Sequence, residues 1–321
     1  MSQNKFVQSI ISYSKKDGNK NVILLIIYLI VQTIFFGIAT PYFLTLSNFQ
    51  NLMRQTAELG MVTIPLAIIL MTGNIDLSIG SVMGVCAISM ARLLKTDLPI
   101  AVAILLAICV GMFLGAVNGL LVAKFNLEGI VATLGMQVML RGVCYILTGG
   151  RPVSGMPREF MALSKVSIGI VPLSFIVMLI IFLIAIFIMQ KTTFGIKIHA
   201  IGYNPVTSTF SGINAKKIKF LLFTLSGAVA ALASMFMLAR FASAESEFAN
   251  GYDTDTLTSL LIGGISIAGG SGNMVGAFLG FVAISTLRNG LNHMGVSAIY
   301  QQFILGALII LFAVNWKKKR D

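Results

Sequence analysis

Long apolar runs separated by short polar stretches dominate the chain. Val22–Thr40, Ile100–Ala123, Val171–Met189 and Phe220–Ala239 contain no charged residue. Each is close to or above the ~20 residues that a helix needs to cross a bilayer. The alternating ~10-residue segments of a membrane barrel are absent. Without water in the hydrocarbon, helices are then the backbone solution. The pattern predicts an all-α polytopic membrane helix bundle of about ten transmembrane segments, at 22–40, 56–73, 76–92, 99–123, 129–148, 171–190, 219–240, 255–269, 273–290 and 297–315. One permease domain is expected over 1–321, with a tail at 1–21 and a loop at 191–219 on the same side.

Two hairpins are interrupted by polar residues. Gly60–Thr72 and Leu77–Met90 read as too short to span, with GNID between them. Thr256–Ala268 and Met274–Leu287 repeat the arrangement around GGSGN. Glu58 and Arg92 flank the first pair, and Asp255 and Arg288 the second, at spacings of 34 and 33 residues. Paired interruptions in two halves suggest an internal structural repeat. Freed backbone groups at such breaks are tolerated only where protein or a wet cavity receives them. Asp76 can cap a helix starting at Leu77 by accepting from the N–H of Ser78 or Ile79, facing the positive end of its dipole. Alternatively, Asn74, Asp76 and Ser78, with Ser271 and Asn273 at the second break, supply polar groups along a hydrophilic translocation path.

Composition agrees with the membrane reading: the chain is 57% hydrophobic and 11% charged, with mean hydropathy +0.92. The net charge of +12 lacks the basic–aromatic pattern of a nucleic-acid surface and is better explained by positive-inside topology. With both termini cytoplasmic, 14 of the 23 Lys and Arg fall in the amino-terminal tail, at Lys124, between Lys191 and Lys219, and in the tail from Lys317. The first apolar run is too long for a signal-peptide core and reads as an uncleaved span. Arg151, Arg158, Lys165 and Arg240 fall on the outer side against the rule; they are candidates for receiving an acidic face of a partner. Cys86, Cys109 and Cys144 lie in apolar segments without a CxxC motif and read as packed thiols. His199 and His293 have no metal-ligand partner at helical spacing and read as structural. The glycine-rich GGISIAGGSGN at 263–273 lacks the GxxxxGK[ST] pattern, so the chain has no visible ATP site. Gly111 with Gly115 reads as ordinary helix packing. No paired carboxylates, Ser/His/Asp set or metal cluster suggests an enzyme.

The loop QKTTFGIKIHAIGYNPVTSTFSGINAKKIKF, 190–220, holds a helix signal of its own. Asn204 suits the N-cap, Pro205 N1 and Gly212 the C′ position. About two turns are expected, too few to be stable alone. Val206 and Phe210, four apart, can present one apolar face to a receiving surface.

NIDLSIGS, ATLGMQVMLRG at 132–142, the loop pattern GxNPxTSxxSGINxxKIK and LIGGISIAGGSGNMVGAFLG at 261–280 together resemble one family. It is the ribose-type monosaccharide permease family of bacterial ABC importers; the NIDLSIGS segment fits this branch better than the branched-chain amino-acid permeases. The resemblance implies a non-enzymatic permease in the bacterial cytoplasmic membrane, moving a monosaccharide by alternating access. It implies a cytoplasmic ABC ATPase that binds ATP and Mg, an extracytoplasmic sugar-binding protein, and a second permease copy or paralogue. No cofactor is expected in this chain, and the partners are these proteins and membrane lipid rather than nucleic acid. The loop around Asn204–Gly212 matches the family's ATPase-contacting segment. A stand-alone ion-coupled carrier using Asp76 is the alternative.

Overall fold

The computed structural model describes the backbone of residues 17–318 and the side chains of residues 22–310. Most of the expected tail at 1–21 and the side chains of the basic end from Lys317 lie outside the described residues. Helices make up the fold: α1 (Asp17–Ala39), α2 (Leu46–Met71), α3 (Ile79–Leu93), α4 (Ile100–Ala123), α5 (Gly129–Thr148), α6 (Arg158–Ala162), α7 (Leu173–Lys191), α8 (Thr193–Tyr203), α9 (Pro205–Phe210), α10 (Ala215–Phe241), α11 (Tyr252–Ile262), α12 (Met274–His293) and α13 (Ala298–Lys318). Four two-residue strands join loops at one end of the bundle. β1 (Val153–Ser154) pairs antiparallel with β4 (Ser243–Ala244), and β2 (Ser167–Ile168) with β3 (Val171–Pro172).

Among the described residues, seven helices are long and apolar enough to cross a membrane: α1, α2, α4, α5, α7, α10 and α12. They differ in burial. The most apolar stretch of α2 is 78% buried, whereas those of α1 and α7 are 22% buried and turn side chains such as Leu24, Val31, Leu183 and Phe187 outward. Two expected segments, α3 and α11, are shorter helices. The 15-residue α3 is almost wholly buried inside protein, so its length need not match the bilayer. The 11-residue α11 carries Asp253 and Asp255 in its first turn, and α13 runs for 21 residues, with side chains described to residue 310.

The two interrupted hairpins differ from the expected form. α2 is 26 residues long and begins at Leu46, ten positions before the expected segment, with Thr45 accepting from the N–H of Asn48 at its N-cap. The polar residues Asn48 to Gln55 hid this extension. α12 is likewise 20 residues long. Each hairpin therefore joins a long helix to a short one, in opposite order.

Lipid is as apolar as the side chains it would replace, so close backbone approach and buried polar pairs hold such a bundle. Gly111 and Gly115 on α4 face Gly227 and the Phe223 carbonyl on α10, where a methyl on either helix would strike the other's backbone.

Candidate functional site

The first break lies between α2 and α3. Asp76 Oδ1 accepts from the Ser78 amide (2.9 Å) and hydroxyl (2.6 Å), and Asn118 of α4 donates to Ser78 Oγ at 2.7 Å. Thr133 of α5 receives the Leu77 N–H at 3.1 Å, and Asn74 donates to the Thr72 carbonyl and hydroxyl. The helix begins at Ile79 with Ser78 as N-cap, so Asp76 fixes the turn before the cap instead of capping a helix from Leu77. The reason is local: a carboxylate two residues before the N-cap closes a turn onto the next hydroxyl and amide. Asn74 (6% exposed), Asp76 (5%) and Ser78 (0%) are all buried. The structure brings the three together around satisfied backbone groups, and Asp76 borders a small crevice, with Leu66, Leu70 and Asp253 opposite.

At the second break, Asn273 caps α12 by accepting from the Val275 N–H at 2.9 Å, and the exposed Ser271 accepts from the Ser266 N–H through its carbonyl at 3.1 Å. The two breaks touch. The Gly270 N–H donates to the Met71 carbonyl at 2.9 Å, and Gly269 (φ +80) sits against Gly73 (φ +77). The end of α8 closes this junction: His199 Nδ1–H donates to the Gly270 carbonyl at 3.0 Å. Gly202 lies so near Met71 and Gly270 that a methyl there would strike both. One backbone knot thus joins both breaks to the loop helix that follows.

That loop helix is α9. Asn204 Oδ1 accepts from Val206 N and Thr207 N at 3.0 Å each, Pro205 stands at the start, and Gly212 (φ +81) follows the Ser211 C-cap. Val206 is 65% exposed and Phe210 88%, with Tyr203 beside them at 88%. Val206 and Phe210 on this six-residue helix, with Tyr203 at the end of α8, are bare apolar side chains without a partner among the described residues.

Among the described residues, two ion pairs join helices of the bundle. Arg240 at the end of α10 holds Glu58 of α2 in bidentate fashion (Nε–Oε1 2.8 Å, Nη2–Oε2 2.6 Å), and Arg288 of α12 holds Asp255 of α11 at 2.5 Å. Arg92, which flanks the first hairpin with Glu58 in sequence, is exposed. Arg240 also leaves the group of docking candidates. Its guanidinium is committed to a carboxylate that is 1% exposed and lies 4.3 Å from the Phe241 ring centroid. Arg151, Arg158 and Lys165 are exposed in the loop that carries β1, α6 and β2.

Residues that the sequence reading passed over hold the segment 242–251. Along one face of α5, Gln137 donates to Asp253 (3.1 Å), Arg141 to the carbonyls of Ser246 and Phe248 (2.9 and 3.0 Å), and Tyr145 to Glu247 (2.8 Å). Their i, i+4, i+8 spacing inside ATLGMQVMLRG and its continuation was the available signal. Gly80 and Gly84 of α3 leave room for the Ala249 and Phe248 carbonyls opposite, so the segment enters between α3 and α5.

These features define a polytopic membrane transport component with two facing helix breaks and a projecting loop helix. The chain belongs to the family described as branched-chain amino acid transport system / permease component, whose model matches residues 48–313. It is 35% identical over 304 residues to the ribose import permease protein RbsC of Escherichia coli (strain K12), covering 94% of this chain and 93% of that one. It is 33% identical to RbsC of Bacillus subtilis (strain 168), covering 91% of each. It is 30% identical to the galactose/methyl galactoside import permease protein MglC of Escherichia coli (strain K12), covering 96% and 95%. No solved structure matches the chain. The family and the seven candidate spans make it a multi-pass protein of the cytoplasmic membrane.

Proposed function

We propose that this chain is the membrane permease subunit of an ATP-driven importer for a ribose-like monosaccharide. Its relatives over nearly the whole chain are import permeases for ribose and for galactose or methyl galactoside. The single observation that carries the mechanism is the knot of Met71, Gly73, Gly202, Gly269 and Gly270, which ties α8 and α9 to both helix breaks. In this reading α9 docks through Val206, Phe210 and Tyr203 on a cytoplasmic ABC ATPase, which binds ATP and Mg. Closure of that partner moves α8, and α8 carries both breaks with it. A tight junction transmits displacement because packed interiors switch between discrete arrangements rather than deform smoothly.

Ten crossings with both termini cytoplasmic put α9 on the ATPase side and Arg151, Arg158 and Lys165 outside, toward an extracytoplasmic sugar-binding protein. A second permease copy or a paralogue completes the pathway. The ion-coupled alternative, with Asp76 as the ion site, is disfavoured by geometry: both donors to its Oδ1 belong to Ser78, two residues on, and the side chain is buried.

The test is co-purification of the ATPase with wild-type and Val206→Ala/Phe210→Ala permease. The double variant is expected to lose most of its ATPase while reaching the membrane in normal amount. Undiminished association would refute the docking role.

A further inference from the structure

A cavity of about 290 Å³ opens beside the start of α11, between the segment 242–251, α12 and α13. Its polar lining comes from Asn250, Asp253, Thr254, the Asp255–Arg288 pair and Gln302, and Leu305 supplies an apolar wall. None of these side chains belongs to the helix breaks. The lining is underused. Asn250 donates to Glu247 at 2.7 Å and Asp253 Oδ2 accepts from Gln137 at 3.1 Å. Among the described residues, Asp253 Oδ1, the Asn250 side-chain amide oxygen, the Thr254 hydroxyl and the Gln302 amide take no hydrogen bond from the protein, and Asn250, Thr254 and Gln302 are exposed to whatever enters the cavity. Arg288 Nε is buried and without a partner, although such an N–H costs free energy while unpaired.

We propose that this cavity is a station for one neutral polyhydroxylated molecule on its way through the permease; the assignment rests on the sugar-importer reading. A hydroxyl is donor and acceptor at once, and the lining offers both kinds in alternation: carboxylate and amide oxygens with guanidinium and amide N–H groups. A bare cation would meet the donors of Arg288 and Gln302. An anion such as a sugar phosphate would meet Asp253, since Asp255 and Arg288 neutralise each other. Small-molecule pockets start at about 300 Å³, so the volume suits a single sugar ring. The station also adjoins the first helix break. Asp253 lines both this cavity and the small crevice that Asp76 borders, so one carboxylate touches both. Mixed and imperfectly filled polar groups bind a passing solute without trapping it.

The experiment uses cells carrying the permease with its ATPase and binding protein, and radiolabelled ribose, with galactose as second probe. Absence of ATP-dependent uptake of both in the wild type overturns the importer reading together with this one. With wild-type uptake established, Asn250→Leu/Gln302→Leu removes two hydrogen-bonding groups without touching the ion pairs. Its maximal uptake rate is expected to fall about tenfold or more, at unchanged half-saturating sugar, membrane abundance and ATPase association. Uptake within twofold of wild type overturns the station. Where that variant fails to reach the membrane, Gln302→Cys in a Cys109→Ser background decides. Modification by a bulky membrane-impermeant thiol reagent should block uptake, and saturating ribose should slow the modification. Labelling that leaves uptake intact, or that ribose does not slow, overturns the proposal.

Discussion

Arg240→Ala separates a structural from a docking role for that side chain. The substitution leaves Glu58, 1% exposed, with Tyr252 Oη at 3.5 Å as its remaining contact at the carboxylate. Breaking a buried pair by removing one member costs about 3–5 kcal/mol, because the other charge stays uncompensated. At 1.4 kcal/mol per tenfold, that is a shift of roughly two to three and a half decades in the folded-to-unfolded ratio. Removing both charges together, as Glu58→Leu/Arg240→Met, should recover most of the loss, since an apolar replacement of a buried pair is often near neutral. Cys86 and Cys144 are buried, which supplies the assay. In a Cys109→Ser background, a fluorogenic thiol dye reports unfolding of detergent-solubilised permease on heating. Arg240→Ala should unfold well below the parent, and the double variant close to it. A parent-like midpoint for Arg240→Ala, together with weakened capture of the binding protein, would refute the structural role and return Arg240 to the docking surface.

Gly202→Ala places a methyl against Met71 and Gly270; transport should collapse while ATPase co-purification persists, and normal transport would show that the knot does not carry motion. Asp76→Asn retains one acceptor for Ser78 and should be milder than Asp76→Leu, which forfeits both hydrogen bonds at about 1 kcal/mol or more; equal membrane abundance and transport in Asp76→Leu and wild type would refute the role of Asp76 at the break. Charge reversal at Arg151, Arg158 and Lys165 should slow binding-protein association at low salt and matter little at high salt, where exposed charges are screened; salt-independent binding kinetics identical to wild type would exclude this surface.

The loop helix was the most legible part of the chain, because Asn204, Pro205 and Gly212 act through local backbone chemistry. The helix breaks were visible for the same reason, as glycine and short polar residues between apolar runs. Helix lengths were less so: Asn48, Gln50 and Arg54 resemble a loop in sequence, yet extend α2. Asn48 is buried there through a local bond to the Phe43 carbonyl and a bond to Asn289, 241 residues away, which no local pattern contains. The same limit explains Glu58, whose partner Arg240 is 182 positions away. Spacing could suggest Asp255 with Arg288 because their helices form one hairpin. The cavity beside α11 gathers side chains from three separate parts of the chain, so its composition became readable only after folding.

The most direct measurement is sugar uptake into proteoliposomes containing the permease and its ATPase, with the binding protein and radiolabelled ribose outside and ATP inside. Accumulation is expected to require enclosed ATP and the ATPase and to be lost in Val206→Ala/Phe210→Ala. Accumulation by the permease alone, driven by a proton or sodium gradient, would contradict it.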